Sequence, residues 1–116
     1  MLTSPVVLLI VGPTASGKTS LSIELAKRLG GEIISADSML VYKGMDIGTA
    51  KPSLKERLKI PHHGIDLVEP TRKFSVFQYR QFALKTIRDV VSRGKVPIVV
   101  GGTGFYVRAL LEGLSP

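Results

Sequence analysis

The hydrophobic positions of the chain alternate between two kinds of pattern. Residues 5–11, PVVLLIV, form a continuous apolar run of the kind found in buried parallel strands. Residues 18–29, KTSLSIELAKRL, space apolar side chains three and four apart, which predicts an amphipathic helix closed by Gly30-Gly31. EIISA, residues 32–36, reads as a second strand. Residues 37–52 have no period and are broken by Gly44, Gly48 and Pro52. Ser53 and Glu56 form a capping box for a short helix ending at Lys59, and HHGIDLV, residues 62–68, reads as a third strand. A second capping box, Ser75 with Gln78, opens a long amphipathic helix that reaches about Arg93 and stops at Gly94. VPIVVGG, residues 96–102, is the fourth strand, and a last helix runs from Gly104 to about Glu112. Strands separated by helices imply a parallel sheet with right-handed crossovers. The expected fold class is α/β, one domain over residues 1–116.

Composition narrows this reading. With 44% hydrophobic and 22% charged residues, the chain has the balance of a soluble globular protein. It has no cysteine, which excludes disulfides and thiol catalysis and fits a cytoplasmic location. The N-terminal apolar run is too short to span a bilayer and lacks the basic flank of a signal peptide, so no membrane association is expected. The net charge of +7 is unevenly placed. In residues 1–50, Lys18, Lys27, Arg28 and Lys43 balance Glu24, Glu32, Asp37 and Asp46. The whole excess lies in residues 51–116, and a basic half of this kind suits a polyanion such as RNA.

The chemistry is concentrated where the first strand meets the first helix. Gly12, Gly17, Lys18 and Thr19 fit G-x-x-x-x-G-K-[ST], with Pro13, Thr14, Ala15 and Ser16 between them. Glycines let successive N–H groups point at an anion, the helix start adds a positive dipole end, and Lys18 adds a full charge. Thr14 and Ser16 offer further hydroxyls, and the Thr19 hydroxyl is the expected ligand for Mg²⁺. In open parallel sheets ligands bind at the carboxyl ends of the strands. Three segments leave that edge: the phosphate loop, ADSMLVY (36–42) and GGTGFY (101–106). Asp37 is the sole carboxylate in them. A phosphate-loop ATPase carries an acid after an apolar strand to organise Mg²⁺ and water. Here VPIVV ends in glycines, leaving Asp37 and Asp66 as candidate acids, which weakens an ATPase reading. On the residues alone Asp37 is either a reacting carboxylate or a turn residue.

GPTASGKT, ISADSMLVYKGMDIGTAKP, PHHGIDLVEP and GGTGFY together resemble, in order and spacing, the N-terminal part of the tRNA dimethylallyltransferases, also called tRNA isopentenyltransferases. The resemblance covers nearly the whole chain. It implies a P-loop NTPase-like parallel sheet with flanking helices. It also implies transfer of a dimethylallyl group from dimethylallyl diphosphate to the N6 amine of an adenosine beside the anticodon of tRNA. The loop and Mg²⁺ would hold the leaving diphosphate, and Asp37 would be the general base. Asp37, Ser38, Met39, Leu40 and Thr103 would contact the tRNA anticodon stem-loop. Family members carry an RNA-gripping insertion and C-terminal helices that are absent from this sequence. The chain is therefore expected to be part of a longer protein, monomeric at full length and inactive as an isolated piece. Where the family usually has Gln, this chain has Leu40, which can only pack against a base. The alternatives are a small-molecule kinase, which shares the loop, and a non-catalytic nucleotide- or RNA-binding fragment. Phe105 and Tyr106 suit either base stacking or helix packing. His62 and His63, adjacent on a strand, should point to opposite faces and so not share a metal.

Overall fold

A computed structural model describes residues 6–12, 18–44, 52–102 and 104–114. Its elements are β1 (Leu8–Val11), α1 (Lys18–Leu29), β2 (Gly31–Ser35), α2 (Leu54–Lys59), β3 (His62–His63), α3 (Val76–Ser92), β4 (Val96–Gly101) and α4 (Phe105–Leu114). The four strands form one parallel sheet in the order β1-β4-β2-β3. Alternation along the strands splits the core. Ile33 and Ile98 face α1, where Ile23 and Ala26 cover them, while Ile34 and Val99 face α3 and α4, among Ala83, Ile87 and Leu110. The α/β expectation holds. Both capping boxes form with reciprocal bonds, Ser53 with Glu56 and Ser75 with Gln78.

Three details differ from the sequence reading. β1 is not buried on both faces. Among the described residues it pairs only with β4, and Leu9 and Val11 are 39% and 40% exposed. Gly30, at φ 68°, is the helix cap, whereas Gly31 belongs to β2, where a Cβ would lie 2.8 Å from the Ile98 side chain and 2.9 Å from the Val96 carbonyl. The third strand is two residues long, because Gly64 and Asp66 take positive φ and break the ladder. The rest of the expected strand instead lies beside the segment after β2, with Leu67 N–H donating to the Val41 carbonyl at 2.8 Å and Lys43 N–H to the Val68 carbonyl at 2.9 Å.

At the amino end of β2, the buried Glu32 carboxylate accepts from both terminal nitrogens of Arg93, at the end of α3, and meets His63 Nε2 at 2.7 Å. The guanidinium hydrogen bonds outweigh the cost of burial and hold this carboxyl down at about 2. A carboxyl depressed by folding stabilises fully above its ordinary value of 4.5, and that contribution is lost as pH falls toward 2. Acid should therefore lower the urea midpoint across this window. Glu32→Gln should cost roughly 1–3 kcal/mol at neutral pH and flatten the acid limb. An unaltered acid limb in that variant would assign the effect to other carboxylates.

Candidate functional site

The carboxyl edge of the sheet brings β1, β2 and β4 together. Gly12 N–H donates to the Gly101 carbonyl at 3.2 Å, tying the start of the phosphate loop to the end of β4. Lys18 is the first residue of α1, and its ammonium donates to the Gly12 carbonyl. The loop residues Pro13, Thr14, Ala15, Ser16 and Gly17 lie outside the described residues, as do Thr103 and the side chain of Thr19.

Lys18 and Asp37 line one cleft. Its remaining walls are largely apolar, from Ile33, Leu40, Ile65 and Val100, with the hydroxyls of Ser22 and Ser35 among them. The position of Asp37 is set by the backbone before it. Ala36 N–H donates to the Val100 carbonyl at 2.8 Å, and a Cβ on Gly101 would lie 2.8 Å from Ala36, so β4 closes on this segment only with glycine there. Gly64 makes the same allowance on the other side, where a Cβ would stand 2.9 Å from the Ser35 carbonyl. That carbonyl accepts from the buried Tyr79 hydroxyl at 2.9 Å, and burial raises the phenol's pKa, keeping it a donor. Asp37 is also a turn residue. Its Oδ1 accepts from Met39 N–H at 2.7 Å and Leu40 N–H at 3.1 Å, whereas Oδ2 takes no hydrogen bond from the described residues. The turn reading of Asp37 is thus borne out by one oxygen, and the turn bonds leave the second oxygen unused.

Beyond Asp37 lies a second, open hollow of about 930 Å³, lined by Asp37, Ser38, Met39, Val76, Phe105 and Tyr106 together with the backbone of Gly102 and Gly104. Met39 and Phe105 are 50% and 73% exposed. Phe105 and Tyr106 have separate roles. Tyr106 is buried and stacks on Tyr79, with ring centroids 4.2 Å apart and planes 12° apart, while Phe105 stands at the rim. Burial, then the neighbouring Tyr42 and Asp37, raise the Tyr106 pKa. Leu40 is buried and borders the cleft of Lys18, not this hollow.

The two histidines separate as their spacing requires. His62 borders the cleft, its Nδ1 2.7 Å from the Ile60 carbonyl, and burial lowers its pKa so that it is neutral at pH 7. His63 turns to Glu32 on the other face. No cluster of three metal-ligating side chains occurs among the described residues. The other candidate acid, Asp66, is engaged by Arg57 at 3.1 Å and does not line the cleft.

Two family models match the chain, one described as IPP transferase over residues 40–116 and one as isopentenyl transferase over residues 5–63. A tRNA dimethylallyltransferase of Koribacter versatilis is 53% identical over 113 residues, an alignment covering 97% of this chain and 37% of that protein. The crystal structure of the full-length tRNA isopentenylpyrophosphate transferase of Bacillus halodurans superposes with a TM-score of 0.89 at 49% identity, covering 97% of this chain and 38% of that one. A eukaryotic dimethylallyltransferase acting on tRNA gives 0.86 at 43% identity, covering 92% and 27%. The chain spans about a third of the length of the curated relatives it matches.

Proposed function

The chain belongs to the IPP transferase family, and on that premise we propose that it forms the phosphate-loop core of a tRNA dimethylallyltransferase. The substrates are dimethylallyl diphosphate and an adenosine beside the anticodon. The observation that carries this reading is the place of Asp37, which borders both the cleft of Lys18 and the hollow of Met39 and Phe105. An allylic diphosphate suits the first, with its phosphates against Lys18 and the loop N–H groups and its hydrocarbon against apolar walls. A base suits the second. Asp37 then stands where the two reacting groups meet.

Adenine's exocyclic amine is a weak nucleophile, because its lone pair is delocalised into the ring. As its nitrogen bonds to the allylic carbon, the carbon–oxygen bond to the diphosphate breaks and Asp37 takes the amine proton. Lys18 and the loop stabilise the charge gathering on the leaving group. The oxygen donors bordering the cleft, Asp37, Ser22 and Ser35, suit a hard cation. Thr19 would hold Mg²⁺, which would supply neutralisation of the diphosphate charge. Pro13, Thr14, Ala15, Ser16 and Gly17 complete the phosphate site in this reading. Ser38 and Met39 line the acceptor side, Leu40 would support it from the neighbouring cleft, and Thr103 completes the tRNA contacts in this reading. Residues 1–116 are one domain, and the work is cytoplasmic. No helix among the described residues is long and apolar enough to cross a membrane.

Calorimetry with dimethylallyl diphosphate and with ATP, each with Mg²⁺, tests the assignment. Preference for the allylic diphosphate is expected, because the apolar walls reward its hydrocarbon. A clear preference for ATP would overturn it in favour of a kinase.

A further inference from the structure

We propose that the rim between the N-terminal ends of α3 and α4 is a track for single-stranded RNA, with Arg72 and Lys73 gripping phosphates and Phe105 stacking a base next to the acceptor. This rests on the function proposed above and extends it to residues outside the reacting centre.

The topology places these groups together. α3 and α4 both begin at the carboxyl edge of the sheet, the edge that carries Lys18 and Asp37. Arg72 and Lys73, both exposed, lie in the segment leading to α3, and with Val68, Phe74 and Gln78 they line a hollow of about 660 Å³. The nearby carboxylate, Glu69, is occupied by Lys43 at 2.9 Å and so opposes them little.

Phe74 and Tyr106 link this hollow to the one beside Asp37. Phe74 lines the first, while its carbonyl accepts from Tyr106 and its N–H donates to the Tyr42 hydroxyl at 3.3 Å. Tyr106 and Val76 line the second. Phe74 and Val76 are two residues apart in the chain, so the two hollows are neighbours, one lined in part by cations and the other largely apolar. Phe105 lines the second hollow with 73% of its surface exposed.

An exposed aromatic face beside paired cations matches the two things a single strand always offers, a base face and a phosphate. A duplex would not present an unstacked base to Phe105.

Fluorescence anisotropy of a labelled RNA hairpin with an adenosine-rich loop, titrated with this chain between about 50 and 200 mM salt, tests the track. Arg72→Ala combined with Lys73→Ala should make the slope of log affinity against log salt shallower by about 1.4, roughly 0.7 for each lost phosphate contact. Phe105→Ala should weaken binding about five- to hundred-fold at every salt concentration, and Phe105→Tyr should restore it. Dimethylallyl diphosphate binding should be unchanged in all three. Wild-type salt slope and affinity in the variants, or no RNA binding by the parent chain, would overturn the track. RNA binding that depends on these residues in a chain unable to bind the diphosphate would retain the track and overturn the prenyl-transfer reading instead.

Discussion

Asp37→Asn, placed in an active protein that carries this chain, should slow the chemical step about a hundred- to ten-thousand-fold, the usual worth of a general base. Diphosphate affinity should change by about threefold or less, under roughly 0.7 kcal/mol. Asparagine is the informative replacement because of the turn. It keeps an Oδ1 for the Met39 and Leu40 amides, so the segment retains its shape. It replaces the second oxygen by an amide nitrogen that cannot accept a proton. Alanine would remove the turn bonds as well and confuse the two effects. Single-turnover transfer rates, paired with binding isotherms, separate the outcomes. Near wild-type rates would leave Asp37 a turn residue and nothing more. Loss of diphosphate binding would mean that the carboxylate serves the diphosphate side, through Mg²⁺, and that the base lies elsewhere.

Lys18→Ala should remove detectable binding of inorganic pyrophosphate by the chain. Truncating one partner of a partly buried, charge-assisted contact costs about 2–5 kcal/mol, roughly thirty- to several-thousand-fold in affinity. In the structure without ligand the ammonium rests on the Gly12 carbonyl, within the loop that would receive the phosphates. The fold should survive the change, since Lys18 opens its helix and contributes nothing to either hydrophobic cluster. Calorimetry beside circular dichroism checks both halves. Undiminished pyrophosphate affinity would remove the loop from the mechanism.

The parts of this structure that were legible in the sequence are those decided within a few residues. A capping box spans four positions, and both boxes formed. The two-residue period of a strand separates His62 from His63, and the structure sends one to the cleft and the other to Glu32. Convergence of Lys18 and Asp37 followed from topology alone, because every parallel strand ends at the same edge. What stayed hidden depends on distance in sequence. Nothing near Glu32 announces Arg93, 61 residues on, as its partner. Nothing near Ser35 announces the Tyr79 hydroxyl, 44 residues away. The length of β3 was misjudged because Asp66 takes positive φ, which an aspartate tolerates but does not advertise. Which side of Asp37 each pocket-lining residue faces was equally out of reach. The glycine at position 101 was visible, but its reason, the approach of Ala36, was not.

The edge position of β1 bears on how the site comes apart. β4 has a neighbour on each side and its central residues are inaccessible, whereas β1, which leads into the phosphate loop, has a single neighbour among the described residues. Structural units held by fewer contacts open at lower free energy than the whole molecule. β1 is then expected to open at lower free energy than the β2–β4 pair beside it. Amide protons of Leu8–Val11 would exchange by local fraying, and those of Ile33–Ser35 only through global unfolding. In the proposed reaction the leaving group would be received beside a peripheral strand and the proton beside an interior one, two foundations of unequal depth.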